Sequence, residues 1–390
     1  GIERRWEKMT YFIFFFFLIY GSMHYYFFYK LNAALHLPLP AVACLVLFLI
    51  LMIIAPLLVN VIERQGSHMF ARASALVCYS WMGVLFCFFS LSLLVDFYRL
   101  LHYLAGYLTS GDLQRFLPAP KPTLFITLFI ALAIFVYGFF EAREVRIEKV
   151  VVKSAKISPS MGRIRIAQIS DLHIGMVMQG ERLKKIVAQL KACDPDILVS
   201  TGDLVDGQSD SLFNAYPFFK DLSPRLGKFA VTGNHELYAG LARSLDFTRR
   251  AGFSVLRGEG RTVGGLINIA GFDDVVVRGG NPVAGEDFAT VLNLLPPGKF
   301  TLLLYHRPVV AKDSLGAFDL QLSGHTHKGQ IFPFSLVTGL FFPMQAGYYN
   351  LPNHSALYVS RGTGTWGPPI RFLAPPEITI FDLVPENSKI

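Results

Sequence analysis

Charge is scarce in this sequence. Asp, Glu, Lys and Arg make up 16% of its 390 residues, against about 25% in an ordinary soluble domain. Cysteine is scarcer still. Of four cysteines, Cys44, Cys78 and Cys87 lie inside apolar runs, Cys193 stands by itself, and there is no C-x-x-C. That excludes a disulfide framework and a zinc knuckle, and leaves the thiols as small apolar packing groups. There is no internal repeat and no low-complexity stretch. Nor is there a dense Lys/Arg stripe with interleaved aromatics, so the net charge of +8 does not signal a nucleic-acid partner, and none is expected.

What is present is hydrophobicity, at 52% of residues, and it is unevenly placed. Residues 1–142 hold long runs rich in Phe and Leu, whereas 143–390 read like an ordinary soluble α/β sequence. A membrane-spanning helix needs about 20 mostly apolar residues. Four runs qualify: about 9–29, through the stretch Phe12 to Phe17; about 40–62, in which Pro56 is tolerable as a kink; about 73–97; and about 123–140. A cleavable leader would account for one run only. A buried soluble bundle would show polar stripes, and these runs are apolar on every face. The expectation is an all-α transmembrane region with four helices over 1–145, followed by a soluble α/β domain over 146–390.

Lys and Arg near the ends of the runs set an expected orientation. Arg4, Arg5 and Lys8 precede the first run, Arg64 and Arg72 follow the second, and Arg143, Arg146, Lys149 and Lys153 follow the fourth. Lys30 is the one cation in the first loop, while Arg99, Arg115 and Lys121 in the third loop weaken the bias. The balance predicts an integral, multi-pass protein with both termini and the soluble domain on the cytoplasmic side. Trp81 and the tyrosines Tyr25, Tyr26, Tyr29, Tyr98 and Tyr103 are candidate interfacial anchors, and Asp96, at the boundary of its run, is expected to face headgroups.

In the second half, short β-branched runs alternate with amphipathic helices. Strands are predicted at 163–170, 196–201, 229–232, 266–270, 300–305, 320–323, 356–360 and 378–383, and helices at 180–192, 211–221 and 241–251. In the first of these helices Leu183, Ile186, Val187 and Leu190 share one face. Alternation early and successive strands late predict a mixed two-sheet α/β sandwich.

Five short motifs close five of these strands: Asp171-Leu172-His173, Gly202-Asp203, Gly233-Asn234-His235-Glu236, the single His306, and Gly324-His325-Thr326-His327. Asp, Asn and His without thiolate suit Mn²⁺, Fe, Zn²⁺ or Mg²⁺. In Asp171-x-His173 and His325-x-His327 the i, i+2 spacing on an extended strand would point both side chains to one face, and flanking glycines allow a sharp turn. Of the ten histidines, six follow residue 142, and all of these but His354 fall in the motifs. Packing alone does not explain that placement.

In this order the motifs resemble those of the calcineurin-like metallophosphoesterase superfamily, over roughly residues 160–385. The tail, with Gly362-Thr363-Gly364 and Pro375-Pro376-Glu377-Ile378, is similar to a bacterial membrane-associated branch, and the front half to vertebrate transmembrane proteins carrying this domain. The resemblance implies a four-layer αββα sandwich and two divalent metal ions. Asp171, His173 and His327 would hold one ion and Asn234, His306 and His325 the other, with Asp203 bridging both. It implies His235 as general acid and Glu236 in support of its neighbours. It also implies hydrolysis of a phosphodiester, pyrophosphate or phosphomonoester. In that chemistry two cations about 3.5–4 Å apart neutralise the phosphoryl oxygens and make hydroxide available at neutral pH. Arg307, Arg361 and Arg371 are candidate clamps for a phosphoryl oxygen. A bilayer tether raises the local concentration of lipid-linked substrates, and resemblance to lipid A pathway pyrophosphatases points the same way.

Other readings weaken on inspection. Gly362 to Gly367 spells G-x-G-x-x-G, but Pro368-Pro369 follows where a helix should open, so a loop lining the site mouth is expected. His235-Glu236 begins H-E-x-x-H, yet Ala239 stands at the second His position. Asn353-His354-Ser355 is a glycosylation sequon only if the domain faces a lumen. A non-catalytic metal-binding scaffold on the same fold is the alternative; such scaffolds lose ligands, and none is missing here. A transporter would carry charge in mid-helix.

Overall fold

Apolar runs without polar stripes become long helices in the computed structural model of the chain, which describes residues 2–65, 67–109, 117–206, 215–274 and 288–388, with the side chains of 2–13, 64, 68 and 109 outside that description. The chain divides into two compact units, 1–140 with 367–370, and 141–366 with 371–390.

In the first unit, α1 (Ile2–Leu35), α2 (Leu39–Arg64), α3 (His68–Thr109) and α4 (Pro120–Glu141) cover the four predicted runs. Among the described residues three helical stretches are long and apolar enough to cross a membrane, Leu39–Glu63, Met69–Leu108 and Pro120–Glu141. The run 9–29 lies on α1, and its first side chains, like Arg4, Arg5, Lys8 and Arg115, lie outside the described residues. Two residues expected at the membrane boundary find partners on other helices. Trp81 packs its ring edge-on against Phe27 at 5.4 Å and Phe48 at 5.0 Å, and its Nε1–H donates to His24 Nε2 at 2.9 Å. Asp96 does not simply face headgroups: it pairs with Lys30 and accepts from the Tyr26 hydroxyl at 2.6 Å. In an apolar surrounding a polar side chain is stable when another helix supplies its partner, and neither pairing is visible in one helix's sequence.

The second unit is built on two six-stranded sheets. The first has the order β1 (Arg146–Ser154), β12 (Glu377–Pro385), β2 (Ile164–Ile169), β3 (Ile197–Ser200), β4 (Lys228–Ala230), β5 (Ser254–Val255). The second has the order β10 (Gly347–Asn350), β11 (Ala356–Val359), β9 (Leu320–Ser323), β8 (Thr301–Tyr305), β7 (Ile267–Phe272), β6 (Glu259–Val263). The period-2 alternation of a strand sorts residues between faces. In β2, Ile164 and Ile166 join Leu302, Leu304, Leu320 and Leu322 between the sheets. Ala167 and Ile169 point the other way, under Leu183, Ile186 and Leu190 of α5 (Glu181–Ala192) and Phe247 of α8 (Leu241–Arg250). In β8, Leu303 and Tyr305 turn outward to Phe288 and Leu292 of α9 (Phe288–Asn293). The predicted αββα layering is thus present.

The predicted strands and helices recur within a few residues. Of the predicted helix 211–221, residues 211–214 lie outside the described residues and α6 (Tyr216–Lys220) is its remainder. The sequence reading missed the four edge strands β1, β5, β6 and β10, and three short helices, α7 (Asn234–Tyr238), α9 and α10 (Phe334–Phe341). Parallel pairing of β2 with β3, β3 with β4, and β8 with β9 brings the C-terminal ends of those strands together in each sheet. All five motifs follow those ends.

Candidate metal centre

The motif loops continue the sheet past the strand ends. Asp171 N donates to Gly202 O at 3.0 Å, His173 N to Asp203 O at 3.0 Å, and Gly324 N to His306 O at 2.8 Å. The backbone there is not the extended strand assumed from i, i+2 spacing. Asp171 (φ 51), His173 (φ 51), Asp203 (φ 52), His325 (φ 72) and His327 (φ 49) all sit in the left-handed region. Non-glycine residues rarely occupy it, and such positions cluster where surrounding structure over-determines them. These single-residue turns, rather than the pleat, aim the side chains inward.

Two glycines make room. Gly202 has φ +100, and a Cβ on it would lie 2.7 Å from His306 Nδ1; a Cβ on Gly324 would lie 1.9 Å from Ser170 Oγ and 2.2 Å from Asp171 Oδ2. No side chain fits at either place without displacing a motif residue.

The side chains converge. His173 Nε2 lies 3.0 Å from His327 Nε2, and His327 Nε2 lies 3.4 Å from Asp171 Oδ1. His306 Nε2 lies 3.1 Å from His325 Nδ1 and 3.1 Å from Asp203 Oδ2. Asp203 Oδ2 is also 4.0 Å from His173 Nε2, between the two clusters. Three trios place their ligand atoms within 4.8 Å of one another: Asp171, His173 and His327; His173, Asp203 and His235; Asp203, His306 and His325. Asn234 completes the seven predicted ligands. Its Oδ1 is buried without a hydrogen-bond partner, in a position that ordinarily costs free energy unless something polar occupies the space.

Charge in the pocket calls for cations. Asp171 and Asp203 are buried. Burial disfavours a charged His306, but Asp203, Asp171 and Asp274 outweigh it and pull its pKa up to about 10. His306 Nδ1–H donates to Thr201 O at 2.9 Å, which turns Nε2 toward Asp203. His325 and His327 are held well below the usual histidine range. Burial is the main cause, joined by His306 and Arg307 for the first and by His173 and Arg371 for the second. Neutral imidazoles beside buried carboxylates are what hard and borderline divalent ions bind. The donor set, the unpartnered Asn234 oxygen and the spacing therefore fit the binding of such ions.

Around this shell stand groups that the sequence did not mark. Asp206 accepts from His235 Nδ1 at 2.6 Å and lies 3.5 Å from His173 Nδ1. A second carboxylate three residues after Gly-Asp was the available signal. Glu236, expected to support its neighbours, accepts from the backbone N–H groups of Asp203, Leu204, Val205 and Gly233 at 2.7–3.2 Å, clamping two motif loops. The rings of Tyr238 and Trp366 lie 5.4 and 5.6 Å from that of His235. The loop 362–364 lines the site as expected: Thr363 N donates to Ser170 O at 2.7 Å and Gly364 N to Asp171 O at 3.0 Å.

The three arginines predicted as phosphoryl clamps are engaged elsewhere. Arg307 Nε donates to Asp274 at 2.7 Å, and Arg361 Nε lies 2.6 Å from Glu377 Oε2. Arg371 is fully buried, donating to the carbonyls of Arg361, Ala374 and Gly364 at 2.6, 3.0 and 2.6 Å, with Nη2 3.1 Å from His327 Nδ1. A guanidinium saturated by carbonyls positions the loop that holds it.

Comparison with known proteins gives a consistent result. Residues 164–329 match the profile of the calcineurin-like phosphoesterase family. An uncharacterized metallophosphoesterase of Aquifex aeolicus is 39% identical over 254 residues, 65% of this chain and 97% of that protein. One from Helicobacter pylori strain J99 is 32% identical over 330 residues, 83% of this chain and 84% of that protein. A transmembrane protein with metallophosphoesterase domain from Bos taurus is 33% identical over 325 residues, covering 78% and 72% respectively.

Proposed function

Because the chain belongs to the calcineurin-like phosphoesterase family, we propose that it is a membrane-anchored hydrolase of a phosphodiester, pyrophosphate or phosphomonoester, working at two divalent metal ions. In this reading Asp171, His173 and His327 would hold one ion and Asn234, His306 and His325 the other, with Asp203 shared between the two groups. The observation that carries it is the position of Asp203, with a carboxylate oxygen 3.1 Å from His306 Nε2 and 4.0 Å from His173 Nε2. Divalent cations held there would offset the charge of the phosphoryl oxygens and lower the pKa of a bound water.

The remaining work falls to the chain's own groups. Asp206 accepts the Nδ1 proton of His235, which fixes the ring so that Nε2 is the nitrogen free to exchange a proton. Burial opposes charge on His235, but Asp206 and Asp203 raise its pKa to about 9, so the ring carries a proton to deliver to the departing oxygen as general acid. Tyr238 and Trp366 set their rings beside that of His235 and flank the proton donor. Ser170, hydrogen-bonded to Asp171 Oδ2 at 2.5 Å, and His325 N, 3.0 Å from both oxygens of Asp171, orient that carboxylate.

The helices carry the finer part of the proposal. They make the protein multi-pass, with the catalytic unit cytoplasmic as the Lys/Arg balance implies, and they favour a lipid-linked phosphate ester. Hydrolysis of bis-p-nitrophenyl phosphate with Mn²⁺ by the full chain tests the chemistry. Wild type should turn over, and Asp203→Ala should fall to background. Equal rates for the two proteins would remove the hydrolase reading and leave the metal-binding scaffold.

A further inference from the structure

One face of the catalytic unit is out of keeping with water. α10 carries no charged residue, and none of its side chains is buried. Leu340 is 81% exposed, Phe341 75% and Leu336 65%. A helix that is apolar all round is ordinarily a buried one, and a contiguous exposed apolar patch marks a surface that something covers. The surrounding sequence shares this character. Between Lys328 and Arg361 there is no Asp, Glu, Lys or Arg, and Phe332 and Phe334 extend the exposed patch at the helix's N-terminal end.

The helix is fixed to the metal centre. It follows the loop that carries His325 and His327, and a Cβ on Gly329 would lie 2.3 Å from Ser335 N, so its first turn rests directly on that loop. Past its other end, the Phe342 ring meets His325 edge-on at 5.1 Å, and Thr326 Oγ1 donates to Gln345 O at 2.6 Å.

Chain connectivity says what is available to cover it. α4 ends at Glu141 and β1 begins at Arg146. Five residue steps reach at most roughly 17 Å, so a domain attached to a membrane-crossing α4 stays beside the bilayer. Tethering at that range gives an apolar surface a high effective concentration of lipid. Leu and Phe side chains are what a surface-bound helix buries at the boundary between headgroups and acyl chains.

We propose that α10 docks the catalytic unit onto the phospholipid bilayer, its Leu and Phe side chains entering the interface and the His325–His327 loop standing at headgroup level. The docking requires α4 to cross the membrane. Its consequence, that the substrate's phosphate ester is presented by a lipid, rests on the hydrolase reading above.

The test uses the unmodified full chain in vesicles of phosphatidylethanolamine and phosphatidylglycerol containing a trace of a phospholipid with a photoactivatable diazirine. After illumination, peptides are mapped for lipid adducts. Adducts are expected on α2 and on residues 332–344, the latter about tenfold above those on the peptide holding Leu294, which is 80% exposed after α9. In Leu336→Glu/Leu340→Glu the α10 adducts should disappear while those on α2 remain. Adducts on α2 with none on 332–344 would overturn the docking, whether water or a second copy of the chain covers the helix. Hydrolysis of bis-p-nitrophenyl phosphate by the same vesicles separates the two readings. Turnover without α10 adducts removes the docking alone, and α10 adducts without turnover remove the hydrolase reading alone.

Discussion

His24 in the helical unit and His306 in the two-sheet unit are both fully buried histidines, and they differ in what their second nitrogen meets. His24 Nδ1 bonds to Tyr20 O at 2.7 Å and its Nε2 accepts from Trp81 at 2.9 Å. Both nitrogens are satisfied by protein, within regular helix. His306 Nδ1 is likewise tied to a carbonyl, Thr201 O, but its Nε2 faces a carboxylate and another imidazole at 3.1 Å each. Its neighbours Asp203, His325 and His327 sit in left-handed backbone. The first histidine fastens two helices. The second belongs to a crowd of donor atoms that only positive charge reconciles. Residue type alone does not separate the two cases; the direction of the remaining nitrogen and the conformation of the surrounding backbone do.

Substitutions can break or sharpen this contrast. The largest effect is expected from Gly324→Ala, whose Cβ would overlap Ser170 and Asp171. Metal content and hydrolysis should both collapse, with overpacking costing about 1–3 kcal/mol in thermal unfolding. His235→Gln should keep its metal and lose about 10²- to 10⁴-fold in kcat, since it removes a proton donor and no ligand. Loss of metal in that variant would move His235 from acid to ligand. In the helical unit, Asp96→Asn should leave hydrolysis of a soluble diester unchanged. It should cost roughly 0.6–1.7 kcal/mol of helix association by weakening the pair with Lys30. A large drop in turnover would mean that the helices do more than anchor.

The smallest effect concerns a buried charge far from the ligands. Lys228 Nζ donates to Phe219 O at 2.7 Å and Ala251 O at 2.8 Å, and burial lowers its pKa from 10.5 to about 8, with Asp221 opposing. Between those two pH values the unfolded chain binds more protons than the native one, so native stability rises with pH across that window and is flat below it. Lys228→Met should abolish that slope when unfolding temperatures are compared from pH 7 to about 10.5. An unchanged slope would assign it to another group.

Much of the two-sheet unit was legible in the sequence. Strands there alternate cleanly between two faces, as β8 does, and ligand chemistry admits few residue types, so Asp171, His173, Asp203, Asn234, His306, His325 and His327 stood out at predicted strand ends. What stayed hidden depended on tertiary neighbours. Nothing local in Arg371 says that it is buried among carbonyls rather than reaching for a phosphate. Asp206 reads as one more loop carboxylate until the fold sets it against His235. The left-handed turns at five ligand positions replace the extended geometry that spacing suggested, because no β-strand can converge so many donors on one point. α10, eight uncharged residues long, is too short to read as a span or to show a clear amphipathic period. In the helical unit the runs themselves were plain, while the pairings of Trp81 with His24 and Asp96 with Lys30 join residues 57 and 66 positions apart.

The convergence of seven donor groups on two ions is the claim from which the rest follows, and elemental analysis of the purified full chain tests it most directly. Wild type dialysed against Mn²⁺ or Zn²⁺ should retain about two ions per chain, and Asp203→Ala, lacking the shared carboxylate, fewer than about one. Wild type that retains no metal at neutral pH, or Asp203→Ala that retains as much as wild type, would contradict it.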